Sequence, residues 1–172
     1  MLAIFAVIVL LLLINAFYVA AEFSTLSSRR SRLAQLSEEG NRFARTILPI
    51  VENPARLDTY IAACQIGITV SSLVLGFYAQ AALSSTVSPW LEQLGRLGPV
   101  AAASLSATVI LLVLTGFQVI FGELVPKNIG VQYPERLALL TVVPMRWSMA
   151  LFGPLIWLFN GSGRLVLRLL GI

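Results

Sequence analysis

Two stretches of this chain are long and almost free of charge, a third is nearly so, and they decide the solvent in which it folds. Residues Met1 to Ala21 are apolar apart from Asn15. As a helix rising 1.5 Å per residue, that run reaches about 31 Å, the thickness of a bilayer's hydrocarbon core. A second run, Thr59 to Leu83, is uncharged and interrupted by Gln65, Thr69, Ser71 and Ser72, and a third, Val100 to Pro126, stays almost uncharged until Glu123. Only 12% of the 172 residues are charged and 58% are hydrophobic, whereas a soluble domain averages about a quarter charged. A soluble fold of this length could not hide so much apolar surface, so lipid must serve as solvent. The expected class is all-α integral membrane, with spans at 1–24, 59–83 and 99–126. A cleaved signal peptide is the rival for the first run, but it has no basic leading region and exceeds the usual apolar length.

Between the first two runs the material changes. Residues 27–58 hold Arg29, Arg30, Arg32, Arg42, Arg45 and Arg56, with Leu33, Leu36, Phe43, Ile47 and Leu48 at helical spacing. Gly40 and the Asn53-Pro54 pair punctuate the segment. It reads as two short amphipathic juxtamembrane helices lying on the membrane surface. The 84–99 connection carries only Glu92 and Arg96. By the positive-inside rule the arginine-rich segment is cytoplasmic, which puts the N-terminus outside and the exit near Lys127 inside. The last stretch, 137–172, is apolar but contains Pro144, Arg146, Gly153 and Pro154, then Arg164 and Arg168. Arginine is expensive at mid-membrane, so a broken pair of interfacial helices or a shallow re-entrant hairpin is expected, with a cytoplasmic C-terminus. The close on a basic amphipathic turn suggests a domain cut from a longer protein whose remainder is cytoplasmic.

Several functions are excluded early. There is no histidine, which removes His-ligated zinc, Ser-His catalysis and histidine proton relays together. The single cysteine, Cys64, lies in an apolar run without an evident base, so an intramembrane enzyme is not expected. The net charge of +4 could suggest nucleic acid. However, the basic residues flank apolar runs and lack an aromatic platform, so anionic lipid is the simpler partner.

The informative residues are polar groups at membrane depth. At 100° per residue, Gln65, Thr69, Ser72 and Gly76 align as one stripe on the second span, with Ser71 about 100° away. Such groups serve either as links between helices, at about 0.6 kcal/mol each, or as a lining. On the third span, Pro126 has no N–H, so the carbonyl of Gly122 loses its helical donor, and Glu123 stands beside it. A freed carbonyl and a carboxylate within one turn suit a hard cation. Equally, Glu123 could be a helix-end residue paired with Lys127 at the interface. Asn15 and Glu22 share a face of the first span, with packing and interfacial solvation as their plainer roles. Oxygen donors alone point to Mg²⁺, Ca²⁺ or Na⁺ rather than Zn²⁺ or Cu⁺.

Three ordered motifs then carry a resemblance. They are Phe17-Tyr18-Val19-Ala20-Ala21-Glu22-Phe23 with Ser28-Arg29-Arg30-Ser31-Arg32-Leu33; Gln65-Ile66-Gly67-Ile68-Thr69-Val70-Ser71-Ser72-Leu73; and Gly122-Glu123-Leu124-Val125-Pro126-Lys127. The chain resembles the CNNM/CorC family, its bacterial CorC branch above all. The resemblance implies a homodimeric three-span domain of the bacterial inner membrane, normally followed by cytoplasmic CBS domains. It implies Mg²⁺ transport, chiefly export, with Na⁺ as the candidate exchanged ion. Thr69, Gly122, Glu123 and Pro126 match family positions linked to the ion site, and Pro126 would break the helix there. Val19-Ala20 stands where many relatives have a Ser-Gly turn, leaving backbone carbonyls, Asn15 or Glu22 to substitute. Ser72 and Gln65 complete the candidate metal set. The rival function is a non-transporting anchor that dimerises and presents cytoplasmic regulatory domains.

Overall fold

The structure, a computed structural model, describes residues 2–95 and 98–169. Arg96, the side chain of Arg164 and the end of the 137–172 segment (170–172) lie outside the described residues. Every element is helical: α1 (Leu2–Ser27), α2 (Arg30–Glu38), α3 (Arg42–Glu52), α4 (Pro54–Gly95), α5 (Pro99–Phe117), a π-helical segment (Gln118–Leu124), α6 (Val125–Gln132) and α7 (Pro134–Leu169). By length and composition, four stretches could cross a membrane: Leu2–Ser27, Pro54–Gln93, Pro99–Gln132 and Pro134–Phe159. The chain divides into two compact units, residues 1–17 with 68–126, and residues 18–67 with 127–172.

In the first unit, Ile8 of α1, Leu75 and Ala79 of α4 and Leu114 of α5 form the buried core, with Ile4, Leu11, Leu12, Tyr78 and Leu83 packed around it. On α5 the buried positions Ala102, Ser106, Ile110 and Leu114 recur every four residues, one face of a helix. The other faces carry Leu112, Val113 and Phe117, and α4 likewise exposes Leu73 and Phe77. Outward-facing large apolar side chains suit a lipid solvent. The connection expected from residue 84 is instead helical as far as Gly95. At 1.5 Å per residue, the 42-residue α4 is about 63 Å long, twice the hydrocarbon thickness.

The second unit contains the two short helices expected between the first spans. Gly40, at φ 93°, closes α2: its N–H donates to Ser37 O at 3.1 Å and that of Asn41 to Leu36 O at 3.0 Å. This is the pairing that a left-handed residue makes possible at a helix C-terminus. Asn41 then caps α3, its side chain accepting from Phe43 N at 2.9 Å and Ala44 N at 3.1 Å. Ala44, Ile47, Ile50 and Val51 are the buried face of α3, which packs against α2 and α7. Asn53 accepts from Arg56 N at 3.2 Å, and Pro54 opens α4 where no N–H is needed.

The last segment departs from expectation. Instead of a broken pair, α7 continues through Pro144, Gly153 and Pro154. Each proline removes one helical hydrogen bond and strains its turn, but packing along the helix offsets the loss. Ala138, Thr141, Val142 and Met145 are buried at spacings of three, one and three. Farther along, Ser148 Oγ lies 3.0 Å from Tyr18 Oη, and the rings of Phe152 and Tyr18 are 6.4 Å apart.

Candidate functional site

The site begins with a local conflict in the third apolar run. A regular α-helix through Pro126 would leave the Gly122 oxygen without a donor and press the proline ring against it. The backbone instead widens over Gln118–Leu124 into i→i+5 bonding, with Val125 N donating to Ile120 O. The helix then resumes as α6, so Pro126 does not break it. The wider turn makes room for the ring. Short π segments inside α-helices are rare and occur frequently at functional sites.

Asn15 completes this turn from α1. It is fully buried, and its Nδ2 donates to Gly122 O at 3.1 Å. The carbonyl expected to be free for an ion therefore has a protein donor. The amide oxygen of Asn15 accepts from Ser71 Oγ at 2.9 Å and Ser72 Oγ at 3.1 Å. Gln118 Nε2 donates to Ser72 Oγ at 2.6 Å. Ser72 has only one proton and directs it at Asn15, so toward Gln118 it must accept, which orients the Gln118 amide with its oxygen turned away. A Cβ on residue 122 would stand 2.9 Å from Asn15 Nδ2 and 3.4 Å from Gln118 Cγ, so glycine is needed for the approach.

The arrangement sorts the expected site residues. Asn15, Ser72 and Gly122 come together, joined by Gln118, which shares the broad arc of Gly122 and Glu123 on the third run, and by Ser71; neither is in the expected metal set. Thr69 and Glu123, in the same unit, are exposed. In the other unit, Gln65 is exposed and Glu22 half-buried. The aligned stripe on α4 is therefore not one buried seam. Lys127, the alternative partner for Glu123, places its ammonium 4.7 Å from the centre of the Phe23 ring. Among the described residues no group of three or more His, Cys, Asp or Glu side chains could hold a metal ion. A cation seat at the π segment would have to use neutral oxygens and isolated carboxylates.

Residues 6–172 match the transmembrane N-terminal domain of the cyclin M family, CNNM. The chain belongs to the CNNM family. Similar proteins include the UPF0053 protein YhdT of Bacillus subtilis, 38% identical over 162 residues, 94% of this chain and 34% of its own length. An uncharacterized protein of Mycobacterium tuberculosis is 38% identical over 169 residues, 97% of this chain and 47% of its own. The polyamine export protein of Salmonella typhimurium is 33% identical over 166 residues, 96% of this chain and 36% of its own. This CNNM domain thus spans about a third to a half of the length of these curated relatives.

Proposed function

We propose that this domain exports Mg²⁺ across a bacterial inner membrane as a homodimer, with the Asn15–Ser71–Ser72–Gln118–Gly122 cluster shaping the ion's seat. The observation that carries the reading is that cluster: amide and hydroxyl groups, buried or half-buried in otherwise apolar helices, gathered around a π-helical turn. Polar groups at membrane depth are costly and by default functional. The bonds from Gln118 to Ser72 and from Ser72 to Asn15 leave Gln118 Oε1 as an acceptor, and the exposed Glu123 carboxylate and Thr69 hydroxyl of the same unit are the further oxygens of the proposed seat. These suit a hard cation. Asn15 and the Gly122 carbonyl then act by positioning rather than as direct ligands. Because Glu123 and Thr69 are exposed on one chain, the seat needs a second surface, which a second copy supplies. In this reading Na⁺ is the exchanged ion, the N-terminus is outside, and cytoplasmic CBS domains follow the C-terminus. The α7 helix lies along the cytoplasmic interface, since Arg146 near the middle of its apolar stretch would be costly in hydrocarbon.

The test is Mg²⁺ efflux from proteoliposomes containing this domain, wild type against Glu123→Ala. Efflux abolished by the substitution in a folded protein supports the reading. Efflux that survives it removes Glu123 from the seat. A second reading replaces Mg²⁺ with an organic polycation; the similarity to the polyamine export protein of Salmonella typhimurium favours it. Spermidine efflux without Mg²⁺ efflux would select it, and neither flux would select the anchor.

A further inference from the structure

Arg45 of α3, Arg56 of α4 and Arg146 of α7 line one pocket of about 440 Å³, together with Thr46, Ile50 and Met149 among its other walls. Among the described residues no carboxylate lines it. All three arginines are exposed, so solvent screens their repulsion, but a concavity lined by three guanidinium-bearing side chains from three helices remains a favourable place for an anion. Arg45 Nη2 donates to Gly40 O at 3.1 Å, which holds that guanidinium in place with N–H groups to spare. Phosphate oxygens are the acceptors that guanidinium forks match best.

A second recess adjoins the first through a shared residue. Arg146 also lines an apolar recess of about 320 Å³ with Val143, Trp147 and Ala150. Trp147 is 77% exposed and Leu151, one turn on, 74%. A ligand that fills both recesses must carry phosphate directly beside hydrocarbon. We propose that this paired recess binds an anionic membrane phospholipid, its phosphate held by Arg45, Arg56 and Arg146 and an acyl chain lying along Trp147. Free phosphate would occupy only the first recess, and a choline headgroup would bring a cation to three arginines. The site lies wholly within the second unit and does not depend on the transport reading.

The test uses the chain's three tryptophans. With Trp90→Phe and Trp157→Phe, Trp147 becomes the sole reporter in protein purified in a neutral detergent. Phosphatidylglycerol with brominated acyl chains should quench it saturably, about tenfold more tightly than phosphatidylcholine with the same chains. Arg146→Gln should weaken that binding about tenfold, and Arg56→Gln, on another helix, should do so independently. The Arg56 variant keeps the test decisive if the Arg146 variant does not fold. Equal titrations by the two lipids, or unchanged binding in the arginine variants, would overturn the proposal. Inorganic phosphate that stabilises the protein thermally while brominated lipid fails to quench would also overturn it, leaving a free-phosphate site.

Discussion

Replacing Asn15 with leucine keeps the side chain's volume nearly constant while deleting its hydrogen bonds. The loss can be sized from the geometry. Ser71 has a fallback acceptor, Ile68 O at 3.0 Å, so its bond to Asn15 counts least. The Gly122 oxygen has no helical donor at Pro126, and Ser72 loses the acceptor that fixes its proton. Hydrogen bonds between membrane helices average about 0.6 kcal/mol and reach about 1.7, so these two together amount to about 1–3 kcal/mol, with the upper end applying to a carbonyl left dry. Reversible unfolding in mixed micelles, followed by circular dichroism, measures this directly. Ser71→Ala, the control, should cost under about 0.5 kcal/mol because of its fallback. Gly122→Ala should cost about 1–3 kcal/mol, since its methyl must displace the Asn15 amide. Most of that cost should vanish in an Asn15→Ala background, a coupling that a double-mutant cycle isolates. An Asn15→Leu change below about 0.5 kcal/mol would refute the claim that this cluster holds the π turn.

Other perturbations probe the second unit. A Cβ on residue 67 would meet the Tyr18 ring at 2.5 to 2.6 Å, so Gly67→Ala should destabilise by about 1–3 kcal/mol. Gly76→Ala, on α4 in the first unit and with nothing within 4 Å, is the contrast: a thermal melt should be unchanged or slightly raised, whereas Gly67→Ala should lower it. Asn41→Ala removes the α3 cap and should cost about 1 kcal/mol in denaturant midpoint experiments. Cys64 is fully buried and is the only cysteine. Maleimide should therefore label it only through opening of the fold, and Gly67→Ala should accelerate that labelling.

The helix boundaries around α2 and α3 were legible because their causes are local. Gly40 and the Asn53-Pro54 pair act within four residues of themselves; the Asn41 cap is as local but was not singled out. The freed carbonyl at Gly122 was legible for the same reason, since Pro126 is its local cause. Its donor was not, because Asn15 lies 107 residues away and only the folded packing of α1 identifies it. Ser71 fell outside the expected stripe because a helical wheel anchored on Gln65 assumes a single contact azimuth. The Asn15 oxygen is instead reached by two adjacent serines. The π segment was invisible to the same arithmetic, which presumes 3.6 residues per turn. In α7, Pro144 and Pro154 looked like breaks because sequence reveals the lost hydrogen bonds but not the tertiary packing that offsets them.

The bonds around Asn15 also have a direction. Gln118 donates to Ser72, Ser72 to Asn15 and Asn15 to Gly122, so the path leaves the π turn at one residue and returns to it four residues later. Every proton along this circuit points the same way. A cation arriving at the Gln118 oxygen would make that amide a stronger donor, and each group that accepts more strongly donates more strongly in turn. Positive charge therefore tightens the loop and negative charge slackens it, so a neutral set of amides and hydroxyls already distinguishes the sign of what approaches.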